Sequence, residues 1–162
     1  MDSYRKFNRL DLPYYQDWIR KVAGNKNLWV KEADVPWAMV ISRLNGMPDA
    51  FPPPWFLSGI AWAHKRTIRV RLDLMESSYL VTVDMRMLML HEAGHIFQPR
   101  KKCVVGGASE YLATMLALRK ASKLGLEAEL YELRFDAKRW GHPSMPIARR
   151  VAYKLLQRKG VL

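Results

Sequence analysis

The pentapeptide His91-Glu92-Ala93-Gly94-His95 constrains this chain more than any other five residues. On a helix, side chains four positions apart lie one turn apart on the same face and can meet at one point. On a strand the same spacing separates them by about 13 Å. If the two imidazoles act together, this segment is helical. Its surroundings agree, with a helical pattern from Asp84 to Phe97. Asp84 is placed to cap the start, Val83 and Leu88 to staple it, and Pro99 to limit its continuation.

The rest of the chain is punctuated clearly enough to predict an order of elements. A helix is expected over Pro13 to Val22, with proline in the first turn and Gly24-Asn25 ending it. Another is expected over Pro36 to Leu44, where Trp37, Val40, Ile41 and Leu44 share a face, and Pro48 to Trp55 reads as loop or polyproline. A β region follows: Phe56 to Ala63 is apolar, His64-Lys65-Arg66 is a turn, and Thr67 to Leu74 alternates. Its charged outer positions predict an edge strand, able to accept an extended peptide. Tyr79 to Val83 adds a short strand. After the motif, Gly106-Gly107 breaks the chain, and a helix capped by Ser109 runs to Leu124. Further helices fill Leu126 to Trp140 and Pro146 to Lys159. Helices, a small sheet and more helices give an α+β class, and 162 residues without a long linker fit one domain over residues 1–162.

Charge and cysteine content narrow the setting. The formal net charge of +12 and pI near 10.0 favour anionic partners, nucleic acid among them, and the last helix gathers Arg149, Arg150, Lys154, Arg158 and Lys159. The single cysteine, Cys103, rules out a disulfide framework within the chain. The opening residues lack a signal-peptide core, and no apolar run approaches the ~18 residues of a membrane span. A cytoplasmic location is the expectation.

The chemistry is carried by the motif. Two neutral imidazoles one turn apart suit zinc, and a catalytic zinc site keeps one position open for water. Glu92, beside the first ligand, is the expected general base for that water. Four histidines and seven glutamates in 162 residues produce this pattern by chance about 0.004 times, so an incidental pairing requires a coincidence. For a third ligand, Glu110 is preferred. Fourteen residues lie between it and His95, and its helix carries Ala113 and Ala117, small enough to lie close to the histidine helix. Asp136 and His142 stay open as alternatives. Tyr111, Tyr131, His142, Arg149 and Tyr153 are all available to stabilise a transition state, and the sequence does not rank them.

The motif together with Glu110-x-x-Ala113-x-x-x-Ala117 resembles the gluzincin branch of zincin metallopeptidases, closest in pattern to the ImmA/IrrE-type peptidases. The resemblance spans Thr67 to Leu118. It implies a compact zincin-like domain in which an edge strand packs on an active-site helix and a glutamate-bearing helix follows. It also implies zinc, held by His91, His95 and Glu110, and hydrolysis of a protein or peptide substrate. The wording His-Glu-Ala-Gly-His is also similar to FtsH-type proteases, whose third ligand is an aspartate. In size and basicity the chain resembles SprT-like peptidases, whose third ligand is a histidine. The expectation is therefore a zinc metallopeptidase with Glu92 as its catalytic base. The alternative is a basic nucleic-acid-associated protein whose zinc site is structural or vestigial.

Overall fold

The computed structural model describes residues 1–33, 61–77, 79–98 and 106–162. The expected helix at Pro36 to Leu44, the proline loop and Cys103 lie outside them. Helix α1 (Leu12–Ala23) begins with proline in its first turn and ends at Gly24, whose φ of 66° is left-handed and lets its N–H reach back to Arg20 and Lys21. After strand β1 (Trp29–Glu32), strands β2 (Ala61–His64) and β3 (Thr67–Val70) form a hairpin. Lys65, with φ 55°, turns the chain between them. A short helix α2 (Leu72–Ser77) leads to α3 (Thr82–Ile96), and α4 (Gly106–Lys123), α5 (Glu127–Arg139) and α6 (Ile147–Arg158) complete the described chain. The class is mixed α+β. Among the described residues, no helix is long and apolar enough to cross a membrane.

The sheet departs from expectation in a way that matters for function. Its order is β1-β3-β2, with β3 parallel to β1 and antiparallel to β2. Thr67–Val70 is therefore central, and its main-chain groups are shared with a strand on each side. The expected edge strand with a peptide-accepting border is not at this position. Among the described residues β2 is an outer strand instead, and it lies against α3 more extensively than β3 does. The strand also stops at Val70 rather than Leu74. Leu72 and Met75, three positions apart, are both buried, so a helical period takes over where alternation was expected to continue. The short strand expected over Tyr79 to Val83 shrinks to a single bridge between Val81 and Lys6.

Helix α3 is buried on nearly all sides from Thr82 to Gly94, as a central helix must be. It starts two residues before the expected cap. Asp84 sits inside the first turn, and its carboxylate accepts the N–H of Val81 at 3.0 Å. The next free N–H groups, of Thr82 and Val83, donate to the carbonyls of Arg5 and Ser3 at 2.9 and 2.8 Å. One core cluster joins α1, the sheet, α3 and α4 through Ile19, Ile68, Met85, Leu88 and Ala117. A second, around Trp140, Ala152 and Leu156, lies under α6.

Candidate metal centre

A helix buried all round that carries His91 and Glu92 in its interior must give them partners, since an unpaired buried polar group is costly. Both are only 4% exposed. The partners of His91 come from α4, which crosses α3 at nearly backbone contact, while Glu92 is offset by the two histidines of its own helix. A Cβ at Gly94 would lie 2.9 Å from the Cα and carbonyl carbon of Ala113. Ala113 and Ala117 are both buried at this crossing, as the small-residue stripe predicted. Gly106-Gly107, expected to break the chain, instead opens α4, because Gly107 lets α4 approach α6. A Cβ there would stand 3.0 Å from the Ala148 carbonyl. Ser109 consequently lies inside the helix rather than capping it.

The crossing brings His91, His95 and Glu110 together. His91 Nε2 lies 3.0 Å from Glu110 Oε2, and His95 Nε2 lies 3.6 Å from Glu110 Oε1. The two rings meet edge to face with centroids 4.9 Å apart. One donor atom from each of the three residues falls within 4.8 Å of the others, and no other such group of three occurs among the described residues. Each imidazole is held from behind by its other nitrogen: His91 Nδ1 lies 3.2 Å from Thr114 Oγ1, and His95 Nδ1 lies 3.0 Å from Ser109 Oγ. The Ser109 hydroxyl donates to Gln98 Oε1 at 3.0 Å, leaving its oxygen free to accept from the histidine. Gln98 Nε2 in turn donates to the Ser109 carbonyl at 2.8 Å. Without a cation an Nε2–H donates to the Glu110 carboxylate; with one, Nδ1–H can be donated to the hydroxyls and both Nε2 lone pairs are left to face the ion. That is how metal-ligating histidines are oriented.

The donor set fits a small divalent ion. Tetrahedral zinc with bonds of about 2.0–2.1 Å separates its ligands by about 3.3 Å, and the 3.0 and 3.6 Å separations lie on either side of that spacing. Two imidazoles and one carboxylate are also three ligands rather than four, the number that leaves a position open.

The electrostatics are organised around the same atoms. Burial disfavours a charge on Glu110, but Arg149, His91 and His95 outweigh it and hold the carboxyl well below the usual range. Burial alone would lower the pKa of His95; the bond to Glu110 and the charge of Glu92 raise it instead. Glu92 is pushed above the ordinary carboxyl value by burial, which the two histidines oppose and Glu110 reinforces. Arg149 Nε stands 3.6 Å from Glu110 Oε2, and its guanidinium lies over the face of Trp140 at 4.5 Å. Trp140 donates Nε1–H to Asp136 at 3.1 Å and packs against the His91 ring at 5.6 Å.

Several sequence expectations are thereby sorted. Glu110 joins the histidines, whereas Asp136 is engaged by Trp140 and sits 3.8 Å from Arg149, outside the ligand cluster. His142 is exposed and pairs with Ser144 at 2.6 Å. Of the five candidate stabilisers, Arg149 reaches the centre, and Tyr111 packs partly buried against the second core cluster. Tyr131 is 65% exposed on α5, stacked on Phe135, and Tyr153 packs on Gly141 and accepts from Gln157. Ser109 (expected only as a cap), Thr114, Gln98 and Trp140 were not anticipated as supports. A threonine one turn after Glu110 on the same helix face was the available signal for Thr114. Comparison with known proteins finds no matching family model, no matching curated protein and no matching solved structure.

Proposed function

We propose that this chain is a zinc-dependent peptidase, with His91, His95 and Glu110 as ligands and Glu92 as the general base. The observation that carries this reading is the convergence of both Nε2 atoms on the Glu110 carboxylate, with each ring fixed through Nδ1. A zinc ion at these donors supplies Lewis acidity, making water a nucleophile near neutral pH and polarising a carbonyl. Glu92 accepts a proton at its carboxylate from the attacking water and returns it to the departing amine nitrogen. Burial makes Glu92 a stronger proton acceptor than an exposed glutamate. Thr114 and Ser109 keep both histidines in the tautomer that offers Nε2. Arg149, steadied on Trp140, is the nearby cation available to negative charge developing on the substrate carbonyl oxygen.

The decisive measurement is zinc content of purified wild type, Glu110→Ala and Glu92→Gln, together with hydrolysis of a quenched peptide library. Wild type is expected to hold one zinc and cleave, Glu110→Ala to lose the metal, and Glu92→Gln to keep it while losing at least a hundredfold in rate. Cleavage by Glu92→Gln at the wild-type rate would remove the mechanism. The burial of Glu92 favours a second reading, a purely structural metal site. In that case chelation lowers the melting temperature and there is no activity to lose.

A further inference from the structure

The parallel pairing of β1 with β3 builds a basic corner that no stretch of the sequence displays. Trp29 lies opposite Thr67, and its N–H donates to the carbonyl of Arg66 at 3.0 Å. This sets the start of β1 beside the Lys65-Arg66 turn, although the two are more than thirty residues apart. Arg20 reaches in from α1. Its Nε donates to the Leu28 carbonyl at 2.6 Å and its guanidinium lies 4.6 Å from the Trp29 ring centroid. Lys31, two residues along the same face of β1, places its ammonium 5.1 Å from that centroid. Trp29 is 47% exposed, and Lys31, Lys65 and Arg66 are exposed around it. The acids of these segments are Asp17, on α1, and Glu32, at the far end of β1.

We propose that this corner binds single-stranded nucleic acid, with phosphates taken by Lys31, Lys65 and Arg66 and an unpaired base by the Trp29 indole, which Arg20 braces. The ligand must be anionic, because the cations come from three separate elements yet meet at one corner of the sheet, in a chain of net charge +12. It must also offer a planar apolar group, because a large aromatic ring stands in solvent among these cations. An unstacked nucleotide combines both, and a duplex keeps its base faces hidden. The last helix, where the sequence alone placed a basic run from Arg149 to Lys159, offers fewer free cations than the sequence suggests: Arg149 is turned to Glu110 and Asp136, and Arg150 is half-buried. Binding at the Trp29 corner is independent of any reaction at the metal centre.

The test is fluorescence anisotropy of the full chain with a labelled oligothymidylate of about 15 nucleotides, its duplex, and phosphatidylserine vesicles, across about 50 to 200 mM salt. Neutralising three to five phosphates on a single strand is expected to weaken binding roughly 20- to 100-fold over that range. Lys31→Glu combined with Arg66→Glu is expected to weaken binding more than tenfold and flatten the salt dependence. Trp29→Ala is expected to weaken it about tenfold at every salt concentration, with the slope unchanged. Arg158→Glu with Lys159→Glu makes the same change in net charge on α6 and its end, and is expected to stay within about twofold of wild type. Should Trp29→Ala fail to fold, the two charge variants decide the matter. The proposal falls if wild type does not bind the oligonucleotide at low salt, or if it binds duplex better than single strand. It falls equally if only vesicles bind, or if the α6 variant loses as much as the corner variant.

Discussion

Glu92 is held in the interior at a cost that depends on pH. A carboxyl whose pKa rises on folding takes up a proton as the protein folds. Its contribution is fully present below the unfolded value, near 4.5, and is lost as pH rises through the folded value. Metal-free Glu92→Gln is therefore expected to melt a few degrees above metal-free wild type at about pH 8, with the gap closing below about pH 4.5. A gap that ignores pH in a melting series with chelator would sink this account. Glu110 runs the other way, whereas His95 follows the same direction as Glu92. Glu110 contributes stability above about pH 4.5 that is lost as pH falls through its lowered pKa. His95 contributes below about pH 6.5, and its share is lost as pH rises through its raised one. Behind the ligands, Thr114→Val keeps the shape but removes the acceptor for His91 Nδ1. Zinc affinity is expected to fall about 10- to 100-fold in a competition titration, and an unchanged affinity would make that contact incidental. At this scale the sequence was informative about what a fixed spacing dictates: His91, Glu92 and His95 need only one helical turn. Ser109 and Gln98 become partners through the crossing of two helices, which no local pattern encodes, and Thr114 was marked only by its place one turn after Glu110.

The crossing of α3 and α4 sets whether the ligands meet. Gly94→Ala forces a Cβ into the Ala113 backbone, which, unlike the tip of a flexible side chain, has nowhere to retreat. The variant is expected to lose about 1–3 kcal/mol of stability, and also zinc affinity, because Glu110 moves off the histidines with its helix. Normal zinc binding alongside a normal urea midpoint would show that the helices tolerate separation. Helices were the legible elements. Proline and glycine marked the ends of α1 to within a residue or two, and α5 and α6 followed their predicted spans equally closely. The sheet was not so legible, since order and pairing are non-local. Thr67 and Arg69 alternate with buried neighbours just as edge positions do, yet β1 and β2 flank them. Nothing marked Trp29–Glu32 as a strand beforehand, because four residues with one buried position leave no period to read.

For the molecule as a whole, the centre ties the histidine helix to α4, and through Glu110 and Arg149 to α6. Zinc binding is thus expected to stabilise the entire fold by mass action. Free zinc at about a hundred times its dissociation constant adds about 2.7 kcal/mol, or roughly 5–10 °C in melting temperature for a chain of this length. Glu110→Ala is expected to lose that shift in a thermal scan; a wild type indifferent to zinc would detach the metal from folding. The opposite end of the same helix has its own anchor, in the Ser3 and Arg5 carbonyls that receive its first amides, with Thr82 Oγ1 bonding Arg5 from 77 positions away in the chain. The opening residues therefore act as a tether rather than a dispensable tail. Trimming them, or hanging a fusion partner there, would tug on the rod that carries both imidazoles, about three turns from the histidines.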